Sequence, residues 1–151
     1  MKKEKSVFSG EERKDHRLVS KDLDLYFFDK NAGQGLPILL PKWVEIRRQI
    51  DLFLQRKQKE FNFQSVITPI LGEKTLYETS GHLTHYKEHM FPEISRNNET
   101  FILRPMTCPH HCIIYNQKPR SYKELPLRLC ENAILHRYES SGSLKGLERV
   151  R

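Results

Sequence analysis

The sequence has few cysteines, a single tryptophan and no long apolar run. Crossing a bilayer takes about 18–20 consecutive apolar residues, so the absence of such a run excludes a helical membrane span. The first 17 residues are strongly charged and lack the apolar segment of a secretory signal peptide. Three cysteines, an odd number, argue against a disulfide framework. We therefore expect a reduced, cytoplasmic protein with no membrane partner.

Positive charge is in excess, with 26 lysines and arginines against 19 acidic residues and a formal net charge of +7. Such an excess favours anionic partners such as nucleic acid or nucleotide phosphates. A soluble surface rich in lysine explains the charge equally well. The length of 151 residues is that of one ordinary domain, and a hydrophobic fraction of 37% is sufficient for a core.

The order of apolar and polar residues predicts an α+β fold with an antiparallel sheet flanked by helices. Residues 1–14 form a charged tail or linker. The clearest helix is predicted over 43–61, because its apolar side chains share one face (Val44, Ile46, Ile50, Phe53 and Leu54). Further predictions are a helix capped by Asp15 over about 16–24, a turn at 31–37, a strand at 61–71 that contains Pro69, a helix at 73–81, a strand at 100–106, a helix at 108–117, a strand at 126–140 and a flexible turn at 140–146.

Two patterns resemble ligand sites but are weak. Gly33 and Gly35 form a lone G-x-G, and nothing downstream completes a dinucleotide-binding motif, so an ordinary turn is favoured. His82, His85 and His89 could share a helical face and bind zinc. That face would require a helix immediately after a glycine, so the interpretation that these histidines bind no metal is favoured.

Arg137 and Glu139 are two residues apart on the last predicted strand and therefore share one of its faces. Two such charges on a sheet are costly unless they pair or contact a ligand. The loop that follows adds Lys145, Arg149 and Arg151. The pattern indicates either a clamp for nucleotide phosphate and base or a surface ion pair.

Cys108 lies between a predicted strand and a predicted helix, where unpaired backbone donors and the helix dipole favour a thiolate. A thiolate at this point can bind zinc or act as a nucleophile. His111 and Cys112 could share its helical face, but a structural zinc site requires four ligands and paired C-x-x-C motifs are absent. Cys112 and Cys130 are therefore interpreted as core residues.

Several segments together resemble the catalytic core of threonyl-tRNA synthetases, a family of class II aminoacyl-tRNA synthetases. They are RPMTCPHH, LPLRL and HRYESSGSLKGLERVR, preceded in the same order by DHRLVSKDLDLY, GQGLPILLPKW and YETSGHLTHYKEHMF. The resemblance covers roughly 15–151, the N-terminal portion of the core. It implies a class II synthetase-like antiparallel sheet flanked by helices, incomplete in this chain. Motif 1, the dimer interface, corresponds to about 43–71 and accounts for Pro69. Motif 2 corresponds to about 126–151 and is truncated.

The resemblance implies roles for three residues of motif 2. Arg137 is the catalytic residue, and it binds the α-phosphate of ATP and the carboxylate of threonine. Its charge would stabilise the anion that develops when the carboxylate attacks phosphorus. Glu139 would hold the adenine end of ATP, and Arg149 would contact the γ-phosphate.

On the threonine side, the resemblance implies that Cys108 binds an active-site zinc that chelates the amino and hydroxyl groups of threonine, with Met106 beside the substrate. The other two zinc ligands of the family are histidines and are expected beyond Arg151. By this interpretation His110 and His111 are not ligands and are expected to pack or to cap the helix.

The implied reaction is the ATP-dependent activation of threonine to threonyl-adenylate, followed by transfer to tRNA(Thr). Magnesium would accompany ATP, zinc would be the metal cofactor, and a homodimer would form through motif 1. Because motif 3 and the remaining zinc ligands are missing, the chain is expected to be an inactive fragment when isolated. The alternatives are a truncated, non-catalytic synthetase-like paralogue that binds RNA or a protein, and a small zinc-binding nucleic-acid domain.

Overall fold

The computed structural model describes residues 15–149, which divide into two units. One unit contains residues 15–52 and 139–149, and the other contains residues 53–138. The predicted tail at 1–14 and Arg151 lie outside the described residues. Within the described range, no helix is long and apolar enough to cross a membrane.

The first unit begins with helix α1, His16–Leu23. Asp15 caps this helix as predicted, because its carboxylate accepts the Arg17 N–H at 2.9 Å. Strands β1 (Tyr26–Phe28) and β2 (Pro37–Leu39) then form an antiparallel hairpin. The turn between them contains both glycines of the G-x-G pattern, with φ angles of 116° and 78°, a conformation that glycine adopts readily.

Helix α2, Pro41–Glu60, confirms the clearest helix of the sequence and begins two residues before its predicted start. None of its twenty residues is buried within the described chain. Val44, Ile50 and Phe53 on its apolar face are 52%, 50% and 51% exposed. Contiguous exposed apolar surface of this kind is typical of an interaction site.

The second unit contains two small sheets. Strand β3 (Gln64–Ser65) pairs in parallel with β7 (Leu129–Cys130). Strands β4 (Leu71–Glu73), β5 (Ile94–Arg96) and β6 (Glu99–Leu103) form an antiparallel sheet with β6 at its centre. Asn97 and Asn98 join β5 to β6 with positive φ angles of 49° and 65°, as in tight hairpin turns. The mixture of helices and small sheets confirms the predicted α+β class.

Three helices pack with the antiparallel sheet of the second unit: α3 (Lys74–Thr79), α4 (His82–His85) and α5 (Cys108–Asn116). The predicted helices at 73–81 and 108–117 are thus confirmed. Gly81, with a φ of 75°, separates α3 from α4. Tyr77 and Ile102 are completely buried and form the core together with Met90. Burial raises the pKa of Tyr77 to about 12.

The strand predicted over 61–71 is interrupted, and the prediction was wrong in its length. Strand β3 ends at Ser65 and β4 begins at Leu71. Between them Pro69 has no N–H to donate to a ladder, and the Thr68 N–H donates to the Glu131 carboxylate at 3.0 Å instead of to a strand.

The long strand predicted over 126–140 is also corrected, since only Leu129–Cys130 is strand. The N–H groups of His136 and Tyr138 donate singly, to the carbonyls of Arg104 at 3.0 Å and His89 at 2.9 Å. A regular ladder requires a neighbouring strand in register, and the described residues place none beside 131–140.

Candidate active site

Arg137 lies on the extended segment that follows β7 and is exposed. Its Nε donates to the Pro105 carbonyl at 3.4 Å, which is long for a hydrogen bond. The side chain is therefore oriented by a weak contact. An arginine in this situation can exchange its partner for a carboxylate or phosphate with little loss of internal hydrogen bonding.

The junction between β6 and α5 carries Met106 and Cys108. The Met106 sulfur lies 3.4 Å from Nε2 of His82, whose Nδ1 is 2.8 Å from the Ser80 hydroxyl. Cys108 is the first residue of α5 and its thiol is exposed, with Pro109 in the first turn as predicted. His82 thus lies beside Met106, a contact that the sequence pattern did not indicate because the two residues are 24 positions apart.

Zinc does not fit the described residues alone. Residues 15–149 contain no group of three or more histidine, cysteine or acidic side chains arranged to hold a metal ion. A catalytic zinc takes three protein ligands, and Cys108 offers one. The continuous helix that a three-histidine face requires is not formed either, because α4 ends at His85 and a 3-10 turn follows over Lys87–His89.

Among the neighbours of Cys108 on α5, Cys112 departs from its predicted role. His110 is buried and packs edge-on against Tyr77 at 6.3 Å, as expected for a packing residue. The His111 side chain is 23% exposed, and its Nε2 lies 3.0 Å from a carboxylate oxygen of Glu131. Cys112 is exposed rather than in the core, and it lines an open cavity between α5 and residues of β4 and α3.

Arg104 and Glu131 form a buried ion pair that the sequence pattern did not reveal. Their side chains are each 4% exposed and approach to 3.2 Å. The Arg104 guanidinium also donates to the Thr68 carbonyl and hydroxyl at 3.0 and 2.8 Å and to the Ile134 carbonyl at 3.0 Å. These bonds fix the segment that carries Arg137 against the end of β6.

Glu131 is ionised in this network. Burial by itself would raise its pKa, but hydrogen bonds from the Thr68 N–H and hydroxyl and from His111, together with the Arg104 charge, lower the pKa to about 2. Burial lowers the pKa of His110 and of His136, and the nearby Arg104 lowers both further. The second unit therefore contains a buried, ionised Arg104–Glu131 pair close to two histidines, His110 and His136, whose pKa values are lowered.

In the first unit, Glu139 and Arg149 lie at the two ends of a short turn. Lys145 and Arg149 form an antiparallel bridge, and Gly146 between them has a φ of 54°. The Arg149 Nη1 lies 4.0 Å from the Glu139 carboxylate, and the two side chains are 56% and 14% exposed. This contact is at the limit of an ion pair and constrains the arginine weakly.

A cavity of about 590 Å³ adjoins Arg149 in the same unit. It is lined by the turn between β1 and β2 and by the turn that carries Arg149 (Phe28, Asp29, Lys30, Gly33, Gln34, Gly35, Leu144, Gly146 and Arg149). The Asp29 carboxylate accepts the Asn31 N–H at 2.7 Å. Lys30 and Arg149 give the cavity two cationic groups against the one carboxylate of Asp29, and this excess of positive charge suits an anionic ligand.

Comparison with known proteins gives consistent matches. A family model described as the tRNA synthetase class II core domain (G, H, P, S and T) matches residues 86–151. The threonine–tRNA ligase of Ureaplasma parvum is 54% identical over 143 residues, which are 93% of this chain and 25% of that protein. The corresponding ligase of an Exiguobacterium species is 52% identical over 91% of this chain and 21% of its own length.

A solved structure gives the same match. The RNA binding domain of threonyl-tRNA synthetase from Cryptosporidium parvum superposes with a TM-score of 0.85 at 39% identity, covering 91% of this chain and 34% of that one. The chain thus spans about a quarter of the length of the curated relatives it matches.

Proposed function

The chain belongs to the threonyl-tRNA synthetase family of class II aminoacyl-tRNA synthetases, and we propose that it forms part of the active site of a threonine–tRNA ligase. The reaction is the attack of the threonine carboxylate on the α-phosphorus of magnesium-bound ATP. Threonyl-adenylate forms, pyrophosphate leaves, and the threonyl group is then transferred to tRNA(Thr). The observation that carries this proposal is the weakly held, exposed guanidinium of Arg137 within an Arg-x-Glu sequence.

Arg137 is assigned to the reacting centre. Its guanidinium would bind an oxygen of the α-phosphate and the attacking carboxylate, which otherwise repel each other. Negative charge grows on the phosphoryl oxygens during the displacement, and a fixed cation stabilises this charge more than that of the ground state. Arg104 contributes by holding the backbone at Ile134, three residues before Arg137, through a 3.0 Å hydrogen bond.

Glu139 and Arg149 are assigned to the two ends of ATP. Glu139 would accept a hydrogen bond from the adenine end, and Arg149 would bind the γ-phosphate. The distance of 4.0 Å between the Arg149 guanidinium and the Glu139 carboxylate supports this assignment. Such a weak ion pair can be exchanged for a phosphate with little loss of free energy. The cavity beside Arg149 is large enough to admit phosphate groups and carries a second cation, Lys30.

The threonine side chain is assigned to the start of α5, where Met106 would contact the substrate and Cys108 would be a zinc ligand. When bound, zinc would act as a Lewis acid that holds the amino and hydroxyl groups of threonine. The described residues supply one ligand, so no step of the reaction is attributed to zinc. We expect the isolated chain to be inactive in aminoacylation, so the test below measures ATP binding.

The proposed partners are tRNA(Thr) and a second copy of the chain, and the proposed compartment is the cytoplasm. A homodimer would form through α2 and the segment at 61–71, which corresponds to motif 1. The support is the apolar face of α2, with Ile50 and Phe53 half exposed, and Ile67 at 96% exposure in the following segment. Sedimentation of Ile50→Asp should give a monomer at concentrations where the unaltered chain is dimeric, and a mass that does not change argues against this interface.

The direct test is calorimetric binding of Mg·ATP to the full chain and to Arg137→Ala. A lost charge-assisted hydrogen bond corresponds to a decrease in affinity of about tenfold or more. Arg96→Ala is the matched control, because it removes the same charge from an exposed position on β5. Equal losses in both variants would show attraction by net charge alone, and no loss in either would favour the non-catalytic alternative.

A further inference from the structure

The first turn of α1 contacts the turn at 145–149 through a hydrogen bond between residues 131 positions apart. The Leu147 N–H donates to Nε2 of His16 at 3.0 Å. Because Nε2 accepts this bond, the neutral imidazole carries its proton on Nδ1, which lies 3.9 Å from the Asp15 carboxylate. The N-terminal helix is therefore joined to the turn that carries Arg149.

Gly146 shows how closely the two segments approach. A Cβ at this position would lie 2.3 Å from Nε2 of His16 and 2.9 Å from Cγ of Arg17. Its φ of 54° is also one that glycine adopts at low cost. The contact thus requires glycine for two separate reasons, the backbone conformation and the absence of a side chain.

His16 is itself held in place by its neighbours in the first unit. Its ring stacks on Tyr26 with centroids 6.5 Å apart and an interplanar angle of 26°. Leu147 and Glu148 line one side of a cavity of about 240 Å³. Its other walls come from α1, from β1 with the residue before it, and from α2 (His16, Val19, Leu25, Tyr26 and Trp43). The turn therefore rests on an apolar base and is oriented by one directional hydrogen bond.

The same turn determines where Arg149 points. Lys145 donates its N–H to the Arg149 carbonyl at 3.3 Å, which closes the turn around Leu147. The contact of Arg149 with Glu139 is 4.0 Å long and the Arg149 side chain is 56% exposed, so this contact orients the side chain only weakly. The backbone position of the turn is then the main constraint on the guanidinium that lines the 590 Å³ cavity.

We propose that His16 is a positioning residue that docks the turn at 145–149 and thereby directs Arg149 toward the terminal phosphates of ATP. The proposal rests on the role of Arg149 given under the proposed function. It adds a residue from the N-terminal helix that contacts no substrate. Losing the hydrogen bond frees the turn, so affinity for the β- and γ-phosphates decreases while the remainder of the nucleotide binds as before.

The experiment compares His16→Phe with His16→Gln in the full chain. Phenylalanine keeps a ring against Tyr26 but cannot accept the Leu147 N–H, whereas glutamine can still offer an oxygen. Amide hydrogen exchange at Leu147 is measured without nucleotide, and calorimetry gives the affinities for Mg·ATP and for AMP. We expect His16→Phe to accelerate the exchange about tenfold and to weaken ATP binding about tenfold, with AMP unchanged and His16→Gln close to the unaltered chain.

A double-mutant cycle with Arg149→Ala tests the coupling. If His16 acts through Arg149, adding His16→Phe to Arg149→Ala causes no further loss of ATP affinity. Unchanged exchange at Leu147 in His16→Phe overturns the docking. Equal losses for ATP and AMP, or additive losses in the cycle, overturn the positioning role and show general damage. If Arg149→Ala leaves ATP affinity unchanged while the exchange responds to His16→Phe, the docking stands and the γ-phosphate assignment fails.

Discussion

Two arginine–glutamate pairs, one in each unit, show what surroundings do to the same two side chains. Arg104 and Glu131 approach to 3.2 Å with both side chains 4% exposed. Arg149 and Glu139 are 4.0 Å apart, with side chains 56% and 14% exposed. The buried pair has further hydrogen bonds to Thr68 and Ile134, whereas Arg149 of the exposed pair lines a cavity.

The difference separates a structural role from a binding role. A buried charge must be fully compensated, and removing one partner leaves the other in a medium of low polarity. An exposed pair is screened by water and contributes little to stability, so its arginine can take a new anionic partner. We therefore expect the first pair to matter for folding and the second for ligand binding.

The largest expected effect is that of Arg104→Met. Glu131 would remain buried without its cation, which destabilises a protein by about 3–5 kcal/mol. The matched substitution Arg149→Met removes an arginine from the exposed pair and should cost less than about 1 kcal/mol. Urea denaturation followed by circular dichroism measures both free energies of unfolding. Similar values for the two variants would remove the distinction between the pairs.

Lowering the pH should decrease the free energy of unfolding in two steps, the first due to His110 and His136 and the second due to Glu131. The pKa values of His110 and His136 lie below the ordinary 6.5, so the unfolded chain takes up protons first and stability begins to fall below about pH 6.5. The pKa of Glu131 is about 2 against an ordinary 4.5. Its contribution, on the order of 3 kcal/mol, is complete above pH 4.5 and is lost as the pH falls toward 2.

The measurement for this prediction is the free energy of unfolding by urea at a series of pH values from neutral to acidic. Glu131→Gln should abolish the step below pH 4.5 and leave the histidine step in place. Glu139→Gln, which removes a carboxylate from the other pair, is the comparison variant and is measured under the same conditions. A Glu131→Gln curve parallel to that of the unaltered chain would contradict the assigned cause.

A smaller difference in stability is expected when a methyl group is added near each pair. A Cβ at Gly72 would lie 2.8 Å from the Tyr77 ring and 3.1 Å from His110, so Gly72→Ala should destabilise by about 1–3 kcal/mol through overpacking. Gly142, between Glu139 and Arg149, has no atom within 4 Å of an added Cβ. Gly142→Ala should therefore change stability by less than about 0.5 kcal/mol. Thermal melting measures both, and equal shifts would show that crowding does not separate the two regions.

Local patterns indicated most elements correctly. The periodic apolar face of α2, the cap of α1 at Asp15 and the proline in the first turn of α5 depend on interactions within a few residues. The strands at 61–71 and 126–140 were predicted too long, because strand formation depends on a partner elsewhere in the chain. The same limit applies to Glu131, whose partner Arg104 is 27 residues away.

The sequence by itself determined the family and singled out Arg137, Glu139, Arg149 and Cys108 as candidate site residues, because short motifs depend only on the order of residues along the chain. Only the tertiary structure decided what surrounds each charge. It buried Arg104 with Glu131, left Arg149 exposed beside a cavity and placed His16 under the turn at Leu147. Burial and contact between distant residues arise from the packing of the whole chain, and this packing decides whether an arginine–glutamate pair stabilises the fold or remains available to a ligand.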